Sequence, residues 1–137
     1  MAKNINVLIA DDSLVFVERL VAMISEIHGS KVIGHARDAH KAMQCFRDLR
    51  PDVVILDLRM PGGNGIEVLE QIKQQSAATI VVVLTNFAFP QYRQRCLAAG
   101  ADFFLDKSTE IDQVPQLLRR LSQKTLGPTV PPLCEEF

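Results

Sequence analysis

The chain alternates between two kinds of hydrophobic texture. Five short apolar runs, Ile5–Ala10, Lys31–Ala36, Val53–Leu56, Ile80–Leu84 and Phe103–Leu105, are rich in β-branched residues. Most are continuously apolar rather than alternating, the pattern of strands covered on both faces. The second run is broken by Gly34 and His35, which suits an edge strand. Between the runs the apolar spacing turns helical. Phe16, Leu20, Met23, Ile24 and Ile27 form one stripe, stopped by Gly29. Asp38 is placed to cap a second helix burying Ala42, Phe46 and Leu49, which ends before Pro51. Asn64 with Glu67 reads as a capping box for a third, with Ile66, Leu69 and Ile72 inward. A fourth runs from about Pro90 to Ala99 and stops at Gly100. The last carries Val114, Leu117, Leu118 and Leu121 and starts near Gln113, with Pro115 in its first turn.

Five strand–helix repeats predict an α/β domain: a parallel sheet with helices on both faces and right-handed crossovers. The length of 137 residues suits one domain with a core that needs no staples. Gly127, Pro128, Pro131 and Pro132 oppose regular structure, so the reading is a domain over residues 1–124 and a Pro-rich flexible tail over 125–137. Without Glu135 and Glu136 of that tail, the body has 15 basic and 14 acidic residues, a balance that gives no reason to expect nucleic-acid or membrane binding. Cys45, Cys96 and Cys134 are odd in number and far apart, supporting reduced thiols rather than disulfides or a zinc site. The first apolar run is too short for a signal peptide or a membrane span, so a cytoplasmic location is expected.

Ligands of open parallel sheets bind beyond the carboxyl ends of the strands. Asp11 and Asp12 follow the first run, Asp57 the third, Thr85 the fourth, and Lys107 lies just past the fifth. Singly, each has an ordinary explanation: Asp11-Asp12 or Thr85 as helix caps, Lys107 as a solvated turn residue. Asp57 is harder to dismiss, because a carboxylate ending Val-Val-Ile-Leu lies where ionisation is costly. Together, three converging carboxylates would raise one another's pKa unless a cation joined them. Hard oxygen ligands without His or Cys favour Mg²⁺. Lys107 adds a point charge and Thr85 a donor, so the set is suited to hold a phosphoryl group beside a carboxylate.

This arrangement resembles the receiver domain of two-component response regulators, the CheY-like family, over about residues 4–124. The matching residues are Asp11-Asp12, Asp57 in LDLRMPGGNGIEVL, Thr85 in VVVLT, Lys107 in GADFFLDKS and the Met60-Pro61-Gly62 turn. The resemblance, not the residue pattern, supplies a flavodoxin-like, doubly wound five-stranded sheet of order 2-1-3-4-5. It implies an apparently stand-alone phosphorylation switch. A histidine kinase or a histidine phosphotransfer protein would pass a phosphoryl group to Asp57, with Mg²⁺ held by Asp11, Asp12, Asp57 and the backbone carbonyl of Arg59. The chain would be the phosphoacceptor, assisting its own phosphorylation and dephosphorylation, and not an enzyme. Thr85 and Phe104 would be the switch pair: Thr85 moves toward the phosphoryl group and Phe104 rotates inward. The face of the fourth helix, fifth strand and fifth helix would then repack for a downstream protein or for a phosphorelay.

Arg59 and Phe87 occupy the positions that tune phosphate lifetime in the family, and Asn86 stands where a small residue is usual. Arg93, Arg95, Arg119 and Arg120 fall on the expected output side, whereas His28, His35 and His40 form no ligand triad. Leu133 and Phe137 read as plain tail residues, with a docking peptide as the sharper option. An aspartate-nucleophile phosphohydrolase would need a DxD pair and a cap insertion, and a flavodoxin-type cofactor binder would need a hydroxyl- and glycine-rich first loop in place of ADDSLVF. The alternative kept open is a receiver-like protein-interaction module not controlled by phosphorylation.

Overall fold

In the computed structural model, which describes residues 4–126, five parallel strands form one sheet: β1 (Ile5–Ala10), β2 (Ser30–Ala36), β3 (Val53–Leu56), β4 (Ile80–Thr85) and β5 (Phe103–Asp106). Each is followed by a helix: α1 (Leu14–Ser25), α2 (Ala39–Leu49), α3 (Gly65–Gln75), α4 (Pro90–Ala98) and α5 (Gln113–Leu126). The sheet order is β2-β1-β3-β4-β5, with β2 at an edge as expected. A separate antiparallel ladder of two residues per strand, Arg59–Met60 against Gly63–Asn64, forms the turn after β3.

The apolar strands face both ways, and the two faces are covered by different helices. Val7, Ile9, Val53, Ile55, Val82, Leu84 and Leu105 pack with α1 and α5 residues such as Val17, Leu20, Ile24, Val114 and Leu118. Leu8, Ala10, Val54, Leu56, Val81, Val83 and Phe104 pack with α2, α3 and α4 through Met43, Phe46, Leu69, Ile72 and Cys96. Burying that much aliphatic surface on both sides is the main force holding the strand ends in place.

Local signals act largely as the sequence suggests. The Asp38 carboxylate accepts the Lys41 N–H at 2.7 Å, and Ser13, rather than Asp11 or Asp12, caps α1 by accepting the Phe16 N–H. Asn64 caps α3 as expected, but through the Ile66 N–H at 2.7 Å and not through the Glu67 N–H that a capping box uses. No side chain caps α4, so the capping reading of Thr85 is excluded. Leu49, expected inside, is 41% exposed. It is the last residue of α2 and lies over edge strand β2 at Gly34, where little covers its outer side. Helix α5 runs to Leu126, two residues past the boundary expected at Lys124, and Cys134, Leu133 and Phe137 lie outside the described residues.

Candidate phosphoacceptor site

The backbone ladder continues past the strand ends and carries the functional side chains in register. Asp11 N–H donates to Ala36 C=O at 2.9 Å, Asp57 N–H to Ala10 C=O at 2.9 Å, and Lys107 N–H to Thr85 C=O at 2.8 Å. Residues following β1, β3 and β5 are thereby fixed along one edge. The loop bearing Lys107 is further tied by Asp106, whose carboxylate accepts both the N–H and the hydroxyl of Ser108. Those bonds hold the Asp106 carboxyl below its usual range.

The side chains converge. Asp11, Asp12 and Asp57 each offer a carboxylate oxygen, and these oxygens all lie within 4.8 Å of one another. Lys107 Nζ lies 2.7 Å from Asp11 Oδ2 and 3.3 Å from Asp57 Oδ2. Asp11, Asp57 and Lys107 are buried, while Asp12 is exposed at the mouth. Burial pushes the Asp57 carboxyl above its ordinary value of 3.8. The charge of Lys107 opposes that rise, Asp11 adds to it, and the Arg59 N–H, 3.4 Å from Oδ1, pulls it back. Three acids facing one ammonium leave the cluster short of positive charge, and an all-oxygen donor set open to water on the Asp12 side fits Mg²⁺.

Thr85 is fully buried, and its hydroxyl oxygen accepts the Phe87 N–H at 3.1 Å, leaving its own O–H to donate. The Arg59 guanidinium stacks on the Phe87 ring at 4.4 Å, joining the loops after β3 and β4 beside the acceptor. Phe104 is already inside, 5% exposed, where the resemblance implies an inward rotation upon phosphorylation. It packs in the core beneath α4, whose Arg93 lies 5.9 Å from the ring centroid and donates to the Phe104 carbonyl at 3.3 Å. Arg93, Arg95, Arg119 and Arg120 are exposed on α4 and α5, and His28, His35 and His40 are exposed, as expected of surface residues.

Two contributors escape a reading by residue type. Gly65 opens α3 against the backbone just after the acceptor: a Cβ there would lie 2.6 Å from both the Asp57 carbonyl oxygen and Leu58 Cα. Phe16 of α1 stacks on Lys107, with Nζ 4.2 Å from the ring centroid. The L-R-M-P-G-G-N-G run hints at the first, since close approach of backbone is one of the uses of glycine. Nothing in the stripe of α1 distinguishes Phe16 from a core residue.

The response regulator receiver domain family matches residues 7–119. The chain belongs to that family. The receiver is 33% identical over 116 residues to the uncharacterized transcriptional regulatory protein YvfU of Bacillus subtilis, covering 85% of this chain and 58% of that one. It thus spans less than two thirds of that relative's length. Among solved structures, the response regulator domain of Thermotoga maritima CheB shares 29% identity at a TM-score of 0.76, covering 95% of this chain and all of the other. The isolated receiver of RcsB from Salmonella enterica serovar Typhimurium, determined in the presence of the phosphomimetic BeF3-, shares 27% identity at a TM-score of 0.82, covering 88% and 90% of the two chains. These relatives place the receiver in two-component, phosphorylation-based signalling, and receivers bind Mg²⁺ at an acidic pocket of this kind. Among the described residues, no helix is long and apolar enough to cross a membrane.

Proposed function

We propose that the receiver accepts a phosphoryl group on Asp57 from a phosphohistidine of a histidine kinase or a histidine phosphotransfer protein, and that this transfer sets which partner it binds. The observation that carries this reading is Lys107 Nζ held between Asp11 and Asp57, at 2.7 and 3.3 Å, beside the exposed Asp12. Asp11, Asp12, Asp57 and the Arg59 carbonyl would hold Mg²⁺, which when bound supplies positive charge to the phosphoryl oxygens.

The remaining work falls to the chain itself. A carboxylate oxygen of Asp57 attacks phosphorus as the phosphorus–nitrogen bond to histidine breaks, and the imidazole departs. Burial strips water from that oxygen, and the rigid strand ends hold it for in-line attack. As the charge on Asp57 moves outward onto the phosphoryl group, Lys107 follows it while Asp11 keeps hold of the ammonium. Thr85 donates its hydroxyl hydrogen to a phosphoryl oxygen, drawing the loop after β4 with it through the Phe87 N–H. That loop leads into α4, whose Arg93 grips Phe104, so the α4–β5–α5 face repacks for a downstream protein or a further phosphotransfer. Only the state whose Thr85 reaches the phosphoryl group gains this bond, which is what shifts the population.

The receiver is the substrate of this transfer and is not regenerated by it, so it is a self-assisting phosphoacceptor rather than an enzyme. Hydrolysis reverses the switch: water attacks phosphorus, the bond to Asp57 breaks and inorganic phosphate leaves. The Arg59–Phe87 stack, bridging two loops beside the acceptor, shields the acyl phosphate from that water. The phosphohistidine donor of this reading places the transfer in the cytoplasm. Mass spectrometry after incubation with a small acyl phosphate donor and Mg²⁺ tests the proposal. One phosphoryl adduct, absent in Asp57→Asn, is expected. An unmodified wild-type protein overturns it and leaves the interaction module without phosphorylation.

A further inference from the structure

We infer that Phe16 is a positioning residue for Lys107, a role that rests on the phosphoacceptor reading above and assigns the ammonium its third support. A lysine ammonium has three N–H donors. Two face Asp11 Oδ2 and Asp57 Oδ2 at 2.7 and 3.3 Å, and the third side is closed by the Phe16 ring at 4.2 Å. The aromatic face is electron-rich, so it attracts the cation where an aliphatic side chain would only exclude water.

The ring is locked into this place by a closed circuit of contacts. Asp11 Oδ2 meets Lys107, and Asp11 Oδ1 accepts the Ser13 N–H at 2.9 Å. Ser13 in turn caps α1 by accepting the Phe16 N–H at 3.3 Å, and the Phe16 ring returns to Lys107. One carboxylate therefore sets both the ammonium and the helix start from which the ring projects. Phe16 is half-buried and packs at the margin of the α1–α5 core, so it can serve this contact without carrying the core.

The consequence concerns the moment of transfer. When Asp57 gives up a free oxygen to phosphorus, Lys107 must release it and find a phosphoryl oxygen. A flexible side chain released on one side would otherwise swing toward solvent. Held between Asp11 and the ring, the ammonium can only move toward the incoming charge. Preorganisation of this kind lowers the barrier without adding a contact to the product.

Two measurements on the full chain test it. The first is the rate of Asp57 phosphorylation by a small acyl phosphate at saturating donor and Mg²⁺, in wild type, Phe16→Leu and Phe16→Tyr. Leucine keeps the apolar volume without the ring, and tyrosine keeps the ring. A two- to thirtyfold slower rate in Phe16→Leu, with Phe16→Tyr restoring it, is expected from the range of cation–π contacts. The second is the NMR signal of the Lys107 side-chain end, shifted upfield by the ring in wild type and Phe16→Tyr and returned to an ordinary position in Phe16→Leu. Equal rates in wild type and Phe16→Leu, a tyrosine variant as slow as leucine, or Lys107 signals indifferent to the substitution would overturn the inference. If the wild-type protein takes no phosphoryl group, the proposed function fails, and the Lys107 signals alone then decide whether Phe16 holds the ammonium.

Discussion

Replacing Gly65 with alanine would put a methyl group into the backbone that follows the phosphoacceptor. The added carbon would lie 2.6 Å from the Asp57 carbonyl oxygen and from Leu58 Cα, and 3.0 Å from the Leu58 carbonyl carbon. All three are main-chain atoms, so no flexible side chain can yield. Ordinary contact begins near 3.4 Å, so α3 and the Asp57–Leu58 segment must separate by about 0.8 Å. The same movement stretches the Gly65 N–H bond to the Leu58 carbonyl, now 3.0 Å. Alanine is the better helix former by up to about 1 kcal/mol, which offsets part of the cost. Overpacking costs about 1–3 kcal/mol and a strained hydrogen bond about 1 kcal/mol more, leaving a net loss of about 1–3 kcal/mol. The chemical effect should be larger than the fold's loss suggests. Displacing a reacting group by 1 Å can cost up to about a hundredfold, so a shift shared between both sides should slow phosphorylation roughly tenfold. Urea unfolding and the rate of adduct formation with a small acyl phosphate, on the same preparations, measure both. A Gly65→Ala variant with the wild-type midpoint and rate would refute the close-packing argument. A destabilised variant with an unchanged rate would show that α3 absorbs the strain and does not pass it to Asp57.

Asp57→Asn should be more stable than wild type at neutral pH in the presence of a chelator. The folded carboxyl titrates above 3.8, so its ionised form costs stability once pH rises through that folded value, and the cost is absent below the unfolded one. Lys107 keeps its 2.7 Å contact with Asp11 in the variant. Thermal melts should show the gap closing as pH falls toward about 4 and as Mg²⁺ is added to wild type; equal midpoints throughout the range would contradict this. Phe87→Ala and Arg59→Ala should each shorten the life of the aspartyl phosphate, because either one breaks the 4.4 Å stack. Radiolabelled phosphate retained over time measures it, and lifetimes equal to wild type would remove the shielding role.

Residue order alone determined the strands, most of each helix face and the set of groups at the functional edge. Continuous runs such as Val53–Leu56, alternating with helical stripes, are the pattern of a parallel sheet covered on both faces, and the polar residue ending each run then emerges at the carboxyl edge. That is why Asp11, Asp57, Thr85 and Lys107 were legible before any coordinates. Tertiary structure decided how deep each group sits and what else touches it. The helical spacing that marks Phe16 as apolar does not say that its ring meets the ammonium of Lys107, because that contact depends on how α1 lies against the loop after β5. The same spacing placed Leu49 inside, but an edge strand with glycine at position 34 offers too little cover. Phe104 shows the limit from the other side: its place in β5 follows from sequence, whereas the Arg93 guanidinium near its ring and on its carbonyl is decided only by how α4 lies across the strand. Periodicity reports direction relative to one element's own axis, and distance between elements is fixed only when all of them pack at once.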